Sequence, residues 1–254
     1  MMAIDFNSDM GELRGLVEDG TQELLMMSLT SVNVACGAHA GDQNMMRVTI
    51  EQALKKGVAV GAHPGYADRE NFGRIELKLA PEQIADLVYG QLCALDKVAT
   101  ACRAPIAHVK PHGALYNQAA RDEAVAAAIA EGVAHWRRNV VLMGLAGSVM
   151  LEVFRGAGFA VAAEAFVDRR YEANGALRSR KLANALITDP AEAARQALQI
   201  VECGSVVAWD GTEVPVQAET LCVHGDSPGA PRIGAEVAKT LRAAGIDLRP
   251  VCKK

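Results

Sequence analysis

The 254-residue chain is 50% hydrophobic and 22% charged, with a net charge of −4 and 4% aromatic residues. It can bury a large core, as one α/β barrel or as two smaller domains. It lacks a basic stripe or stacking platform for nucleic acid, a bilayer-length apolar run, and an uninterrupted leader stretch before Asp5, so a soluble cytoplasmic protein is expected.

Short apolar runs at residues 3–8, 31–35, 58–62, 106–109, 140–144, 160–165 and 220–223 predict seven strands. Helical patterns occupy residues 43–56, 81–101, 121–137, 147–156, 190–202 and 231–244. Asp42 and Asp189 stand at N-cap positions, Pro81 and Pro190 suit first turns, and Gly57 and Gly204 sit where helices should stop. Crossovers of this length make the sheet mainly parallel. The pattern alone leaves two arrangements open, a closed irregular barrel or an open doubly wound sheet. No linker divides the chain, so residues 1–254 read as one domain. Segments 65–79 and 169–180 break the alternation. The second carries an Asn174-Gly175 turn suited to a small hairpin, and another hairpin is expected at 206–216 about Asp210-Gly211.

Five of the six histidines fall in short clusters just after strand-like runs: His39, His63, His108 with His112, and His224; His135 lies on a helical surface stretch. Histidine changes charge near neutral pH and is a common metal ligand. The six cysteines (36, 93, 102, 203, 222 and 252) form no C-x-x-C pair, which argues against a zinc knuckle or a thioredoxin-type motif. Cys93, Cys102 and Cys203 read as core fillers. Cys36 and Cys222 lie beside histidine clusters, and packing is favoured over a nucleophilic role for both.

Side chains alternate along a strand. Asp5, Asn7 and Asp9 therefore share one face. So do His108, Lys110 and His112, then Glu164, Phe166 and Asp168, then Thr220, Cys222, His224 and Asp226. Burying such groups unpaired costs several kcal/mol each, roughly. They need each other, a metal or a ligand, and in parallel α/β folds ligands bind beyond the carboxyl ends of the strands. Taken singly, each has a structural alternative. His39 and His63 could be satisfied loop histidines, Asp9 and Glu12 part of a turn about Gly11, and Lys110 a solvent-reaching side chain. At least one of Arg169 and Arg170 is expected on the surface. No G-x-x-x-x-G-K-[ST] loop, no G-x-G-x-x-G after a strand and no G-x-S-x-G elbow is present.

Taken in order, these blocks resemble the LamB/YcsF family nearly end to end. Asp5-Phe6-Asn7-Ser8-Asp9-Met10-Gly11-Glu12 is similar to its D-x-N-C-D-x-G-E opening, and residues 33–42 to its N-x-A-C-G-x-H-A-G-D element. Residues 61–66 with Phe72-Gly73-Arg74, then 108–117, 166–171 and 222–226 complete the set. The chain departs from the family at Ser8, at Ile75 and around residues 180–183.

The resemblance implies an irregular glycoside hydrolase/deacetylase-like (β/α) barrel. It also implies one component of an ATP-dependent 5-oxoprolinase, opening 5-oxo-L-proline to L-glutamate with subunits B and C as partners. ATP would be the co-substrate, held here or by a partner. Asp9, Lys110, His112 and Asp168 are then the catalytic candidates, with Asp9 or Asp168 as general base and Lys110 and His112 facing anionic oxygen or phosphate. Asn7, Glu12, His39, His63, Arg74, Arg169 and His224 are the substrate-binding candidates, with Arg74 or Arg169 on the substrate carboxylate. Losing these groups is expected to cost rate rather than folding. Two other readings stay open. One is metal-dependent hydrolysis of an amide or N-acetyl group, with Asp9, His39 and His63 as candidate ligands of a divalent metal. The other is a non-catalytic subunit that captures the lactam.

Overall fold

A computed structural model describes residues 2–251, so Cys252 lies outside the described residues. The chain starts with β1 (Ala3–Met10), two short helices α1 (Arg14–Glu18) and α2 (Thr21–Met26), and β2 (Ser31–Ala35). Then come α3 (Gln43–Lys56), β3 (Ala59–His63), α4 (Pro81–Ala101), β4 (Ile106–Val109), α5 (Gly113–Ala119) and α6 (Glu123–Trp136). β5 (Val141–Leu145), α7 (Val149–Gly156), β6 (Ala160–Phe166) and α8 (Pro190–Cys203) follow. The chain continues with β7 (Ser205–Val207), β8 (Glu213–Pro215), β9 (Thr220–Cys222), α9 (Ala230–Ala243) and β10 (Asp247–Leu248).

Strands β1 to β6 pair in sequence order, all parallel, and β9 pairs with both β6 and β1. That double pairing closes a seven-stranded barrel and decides between the two arrangements left open by the pattern. β10 adds a short parallel pair at the start of β1, and β7–β8 forms the expected hairpin outside the barrel. The segment after β6 turns at Gly175 and makes isolated antiparallel bridges, a minimal form of the other hairpin.

The expected end signals operate. Asp42 accepts a hydrogen bond from the Met45 amide at 2.9 Å, and Asp189 caps α8 ahead of Pro190. Gly57 and Gly204 end α3 and α8 in the left-handed conformation. α1, α2 and α5 have no counterpart in the sequence reading, because five to seven residues are too few to show a helical period. Cys203 is exposed rather than a core filler; it is the last residue of α8, where the helix has left the core.

Register divides each strand into two faces. Phe6, Val32, Val34, Val60, Ala62, Val109, Leu142, Ala165 and Leu221 belong to the main apolar core under the helices. The alternate residues face the barrel interior, since Asp5 pairs with Thr220, Asn7 with Ser31, Asp9 with Asn33, and Thr220 with Glu164. At one end this interior is apolar, with Val141, Met143 and Ala162 in a small cluster of their own. Elsewhere it is filled by charged and amide side chains. Gly61 makes room for them, because a Cβ there would lie 2.0 Å from His108 Nε2.

Candidate active site

The deepest polar layer centres on Asp5. Its carboxyl accepts from Thr30 Oγ1 (2.6 Å), Ser31 Oγ (2.8 Å) and Thr220 Oγ1 (2.5 Å). Asn7 donates to Glu164 (3.0 Å) and Thr220 (2.7 Å), and Asn33 donates to the Asn7 and Asp9 oxygens, both at 2.8 Å. The Asn33 amide oxygen is left to accept from His108 Nε2 at 2.7 Å. Burial pushes His108 down to about 3, so the ring is neutral.

Lys110 sits above this layer, 2% exposed, with Nζ 3.0 Å from Asp9 Oδ1, 2.8 Å from Glu164 Oε1 and 3.2 Å from Cys222 Sγ. Glu164 also accepts from Tyr116 at 2.9 Å. Burial opposes charge on both Lys110 and Asp9, but their attraction dominates. The lysine lies well above its usual range, and Asp9, flanked also by His63, lies well below the carboxylate range. The buried Cys222 thiol is pushed up by desolvation despite Lys110, and Cys36 rises to about 12, which favours packing for both.

Above Asp9, three imidazoles and a carboxylate converge. Glu12 Oε1 is 3.0 Å from His39 Nε2, 3.1 Å from His112 Nδ1 and 3.8 Å from His63 Nε2. His63 Nε2 is 3.3 Å from Asp9 Oδ2 and 3.0 Å from His112 Nδ1. The far nitrogens are tied to the main chain, His63 Nδ1 to the Lys110 carbonyl and His112 Nε2 to the Phe72 carbonyl, both at 2.8 Å. His39 stacks on His112 with ring centres 3.8 Å apart. Burial lowers His39 to about 4, whereas Glu12 and Asp9 raise His112 against its burial. One ligand atom from each of Glu12, His39, His63 and His112 lies within 4.8 Å of the others. These donors fit a divalent metal: two rings are oriented by carbonyls so that bare nitrogens face the carboxylate.

Asp168 is fully buried and bound by the His224 amide (3.0 Å), His224 Nδ1 (2.9 Å) and Ser227 Oγ (2.6 Å). It orients His224, whose ring stacks on Phe166. Arg169 is buried against the Arg178 carbonyl, and Arg170 pairs half-exposed with Glu192. At the rim Arg74 Nη2 meets Asp226 Oδ2 at 2.5 Å, and Arg180 Nη1 meets the same oxygen at 3.3 Å. Asp9 and Glu12 also line a small cleft with Leu13, Leu16, Gly225 and Asp226.

The barrel thus gathers Asn7, Asp9, Glu12, His39, His63, Lys110 and His112 into one continuous cluster. Asp168 and His224 form an adjoining pair, Arg74 stands at the rim, and Arg169 is buried. His112 arrives from the N-cap of α5 rather than from strand β4. Lys110 does not reach for solvent. The sequence reading did not assign Glu164, Asn33 or Tyr116 to the site; Glu164's place in register with Phe166 and Asp168 was the available signal.

The LamB/YcsF family profile matches residues 4–254. The chain belongs to the LamB/YcsF family. It is 48% identical to the A component of 5-oxoprolinase from Chloroflexus aggregans over 249 residues, covering 98% of this chain and 99% of that one. It also matches the crystal structure of a lactam utilization protein from Thermus thermophilus, with a TM-score of 0.91, 42% identity and coverage of 98% and 100%. The T48 deacetylase, at TM-score 0.52 and 14% identity over 98% of this chain and 88% of that one, shares the fold alone. The LamB/YcsF barrel is therefore of the deacetylase-like form expected.

Proposed function

We propose that this chain is the lactam-binding and reaction-bearing component of an ATP-dependent 5-oxoprolinase, opening 5-oxo-L-proline to L-glutamate in the cytoplasm with subunits B and C. The observation that supports this most directly is the Lys110–Asp9–His63 line, an ionised carboxylate held at the edge of a cleft. The names carried by its relatives support the substrate class.

A five-membered lactam is an unactivated amide. Phosphoryl transfer from ATP to its oxygen creates a leaving group, and water must then add at that carbon. Asp9 takes the water proton as the hydroxyl bonds to carbon; the tetrahedral centre then expels the ring nitrogen, which is protonated, leaving an acyl phosphate, and a second water releases phosphate to give the carboxylate. An ion-paired carboxylate is a weak base, so His63, 3.3 Å away, is the group that passes the proton on. Lys110 acts by holding Asp9 ionised, and His112 faces the developing oxyanion. Asp168 positions His224.

A second reading is favoured by the convergence of Glu12, His39, His63 and His112. These four would hold a divalent metal, which when bound supplies a Lewis acid and an acidified water for amide hydrolysis.

Turnover of 5-oxoproline and ATP, by the chain alone and then with subunits B and C, tests the reading. Glutamate and ADP formed in equal amounts only with the partners are expected. ATP-independent hydrolysis abolished by a chelator would favour the metal hydrolase. Turnover unaffected by Asp9→Asn would leave only lactam capture.

A further inference from the structure

Two guanidinium groups from two loops meet one carboxylate beside the cleft, and a third guanidinium lies near them. Arg74 comes from the segment between β3 and α4, Arg169 and Arg180 from the segment between β6 and α8, and Asp226 from the loop after β9. Arg74 and Arg180 meet on the same oxygen of Asp226, at 2.5 and 3.3 Å. Arg169 is 8% exposed, and its Nε is buried without a hydrogen-bond partner. Burial, reinforced by the nearby charge of Arg180, lowers Arg169 to about 10, so the guanidiniums are close enough to repel. Asp168, the other carboxylate near them, is taken up by His224 and Ser227. Cationic charge thus exceeds anionic charge beside the cleft, while an orphaned donor remains buried there.

Asp226 also lines the cleft shared by Asp9 and Glu12. Asp226 is thus the residue that both lines this cleft and holds Arg74 and Arg180. We propose that Asp226 holds the place that the substrate's carboxylate takes on binding. Binding exchanges one carboxylate for another on Arg74 and Arg180, with Arg169 Nε as a further donor. This rests on the lactam reading and adds a specificity device to it. A lactam carrying a carboxylate can displace Asp226 from the arginines, and one without it cannot. Because the exchange replaces like with like, the arginines never face the cleft unpaired.

Calorimetry on the full chain tests the proposal, with 5-oxoproline and 2-pyrrolidinone as probes of a lactam with and without the carboxylate. Asp226→Asn removes the competitor and should tighten 5-oxoproline by about threefold or more, while leaving 2-pyrrolidinone unchanged. Arg180→Gln should weaken 5-oxoproline selectively. Both side chains are partly exposed, so both variants are expected to fold. If wild type binds 5-oxoproline and Asp226→Asn weakens it or leaves it unchanged, Asp226 is an anchor rather than a stand-in. The inference then falls and the lactam reading stands. Failure of all three proteins to bind 5-oxoproline removes the lactam reading itself, and the inference with it.

Discussion

His63 Nε2 and His112 Nδ1 face each other at 3.0 Å, while the opposite nitrogen of each ring is tied to a main-chain carbonyl. A carbonyl only accepts, so those outer nitrogens carry hydrogen. Two lone pairs would then meet across the gap unless one cation, a proton or a metal ion, lies between them. Glu12 and Asp9 supply the matching negative charge.

This geometry predicts one tight site for a divalent transition metal. Titration of chelator-treated protein with zinc or manganese should give one equivalent, and Glu12→Gln or His112→Ala, which remove a ligand, should weaken it by more than the roughly 10- to 100-fold typical of losing an outer-shell partner. Titration that shows no binding assigns the gap to a proton.

Lys110 lies between Asp9 and Glu164, and this changes what its loss should do. The expectation that losing site groups costs rate rather than folding does not fit a cation buried between two carboxylates. Lys110→Met leaves both without their counter-charge and should destabilise the fold by about 3–5 kcal/mol in denaturant unfolding. Adding Glu164→Gln should recover part of that loss. Additive losses would show that the pair is not coupled.

His108 should make stability depend on pH. Its ring is held neutral down to about 3, whereas in the unfolded chain it takes a proton near its ordinary value of 6.5. As pH falls below 6.5 the unfolded state gains a proton that the folded state refuses. Stability therefore drops, by up to about 1.4 kcal/mol per pH unit from this group. His108→Gln should flatten the slope between pH 6 and 5, roughly the window where unfolded carboxylates contribute least. An unchanged slope would show that His108 is protonated in the fold.

Much of this was legible from alternation. Asp5, Asn7 and Asp9 on one face of β1, against Ile4 and Phe6 on the other, already required a polar interior. Closure was not legible, because it depends on pairing Asp5 with Thr220 across nearly the whole chain. The same distance hid the Lys110–Glu164 pair, since neither residue's neighbours reveal which strands meet. Arg180 and Asp226 lie in irregular loops, where no period fixes direction, so their meeting at the rim had no signal in the pattern.

Asp9 is the carboxylate on which the proposed chemistry depends. The direct measurement is ATP-coupled glutamate formation by the assembled enzyme carrying Asp9→Asn, with folding and 5-oxoproline binding checked on the same sample. A folded, substrate-binding enzyme slowed by about 10²- to 10⁴-fold is expected. Wild-type turnover from that variant would contradict the assignment.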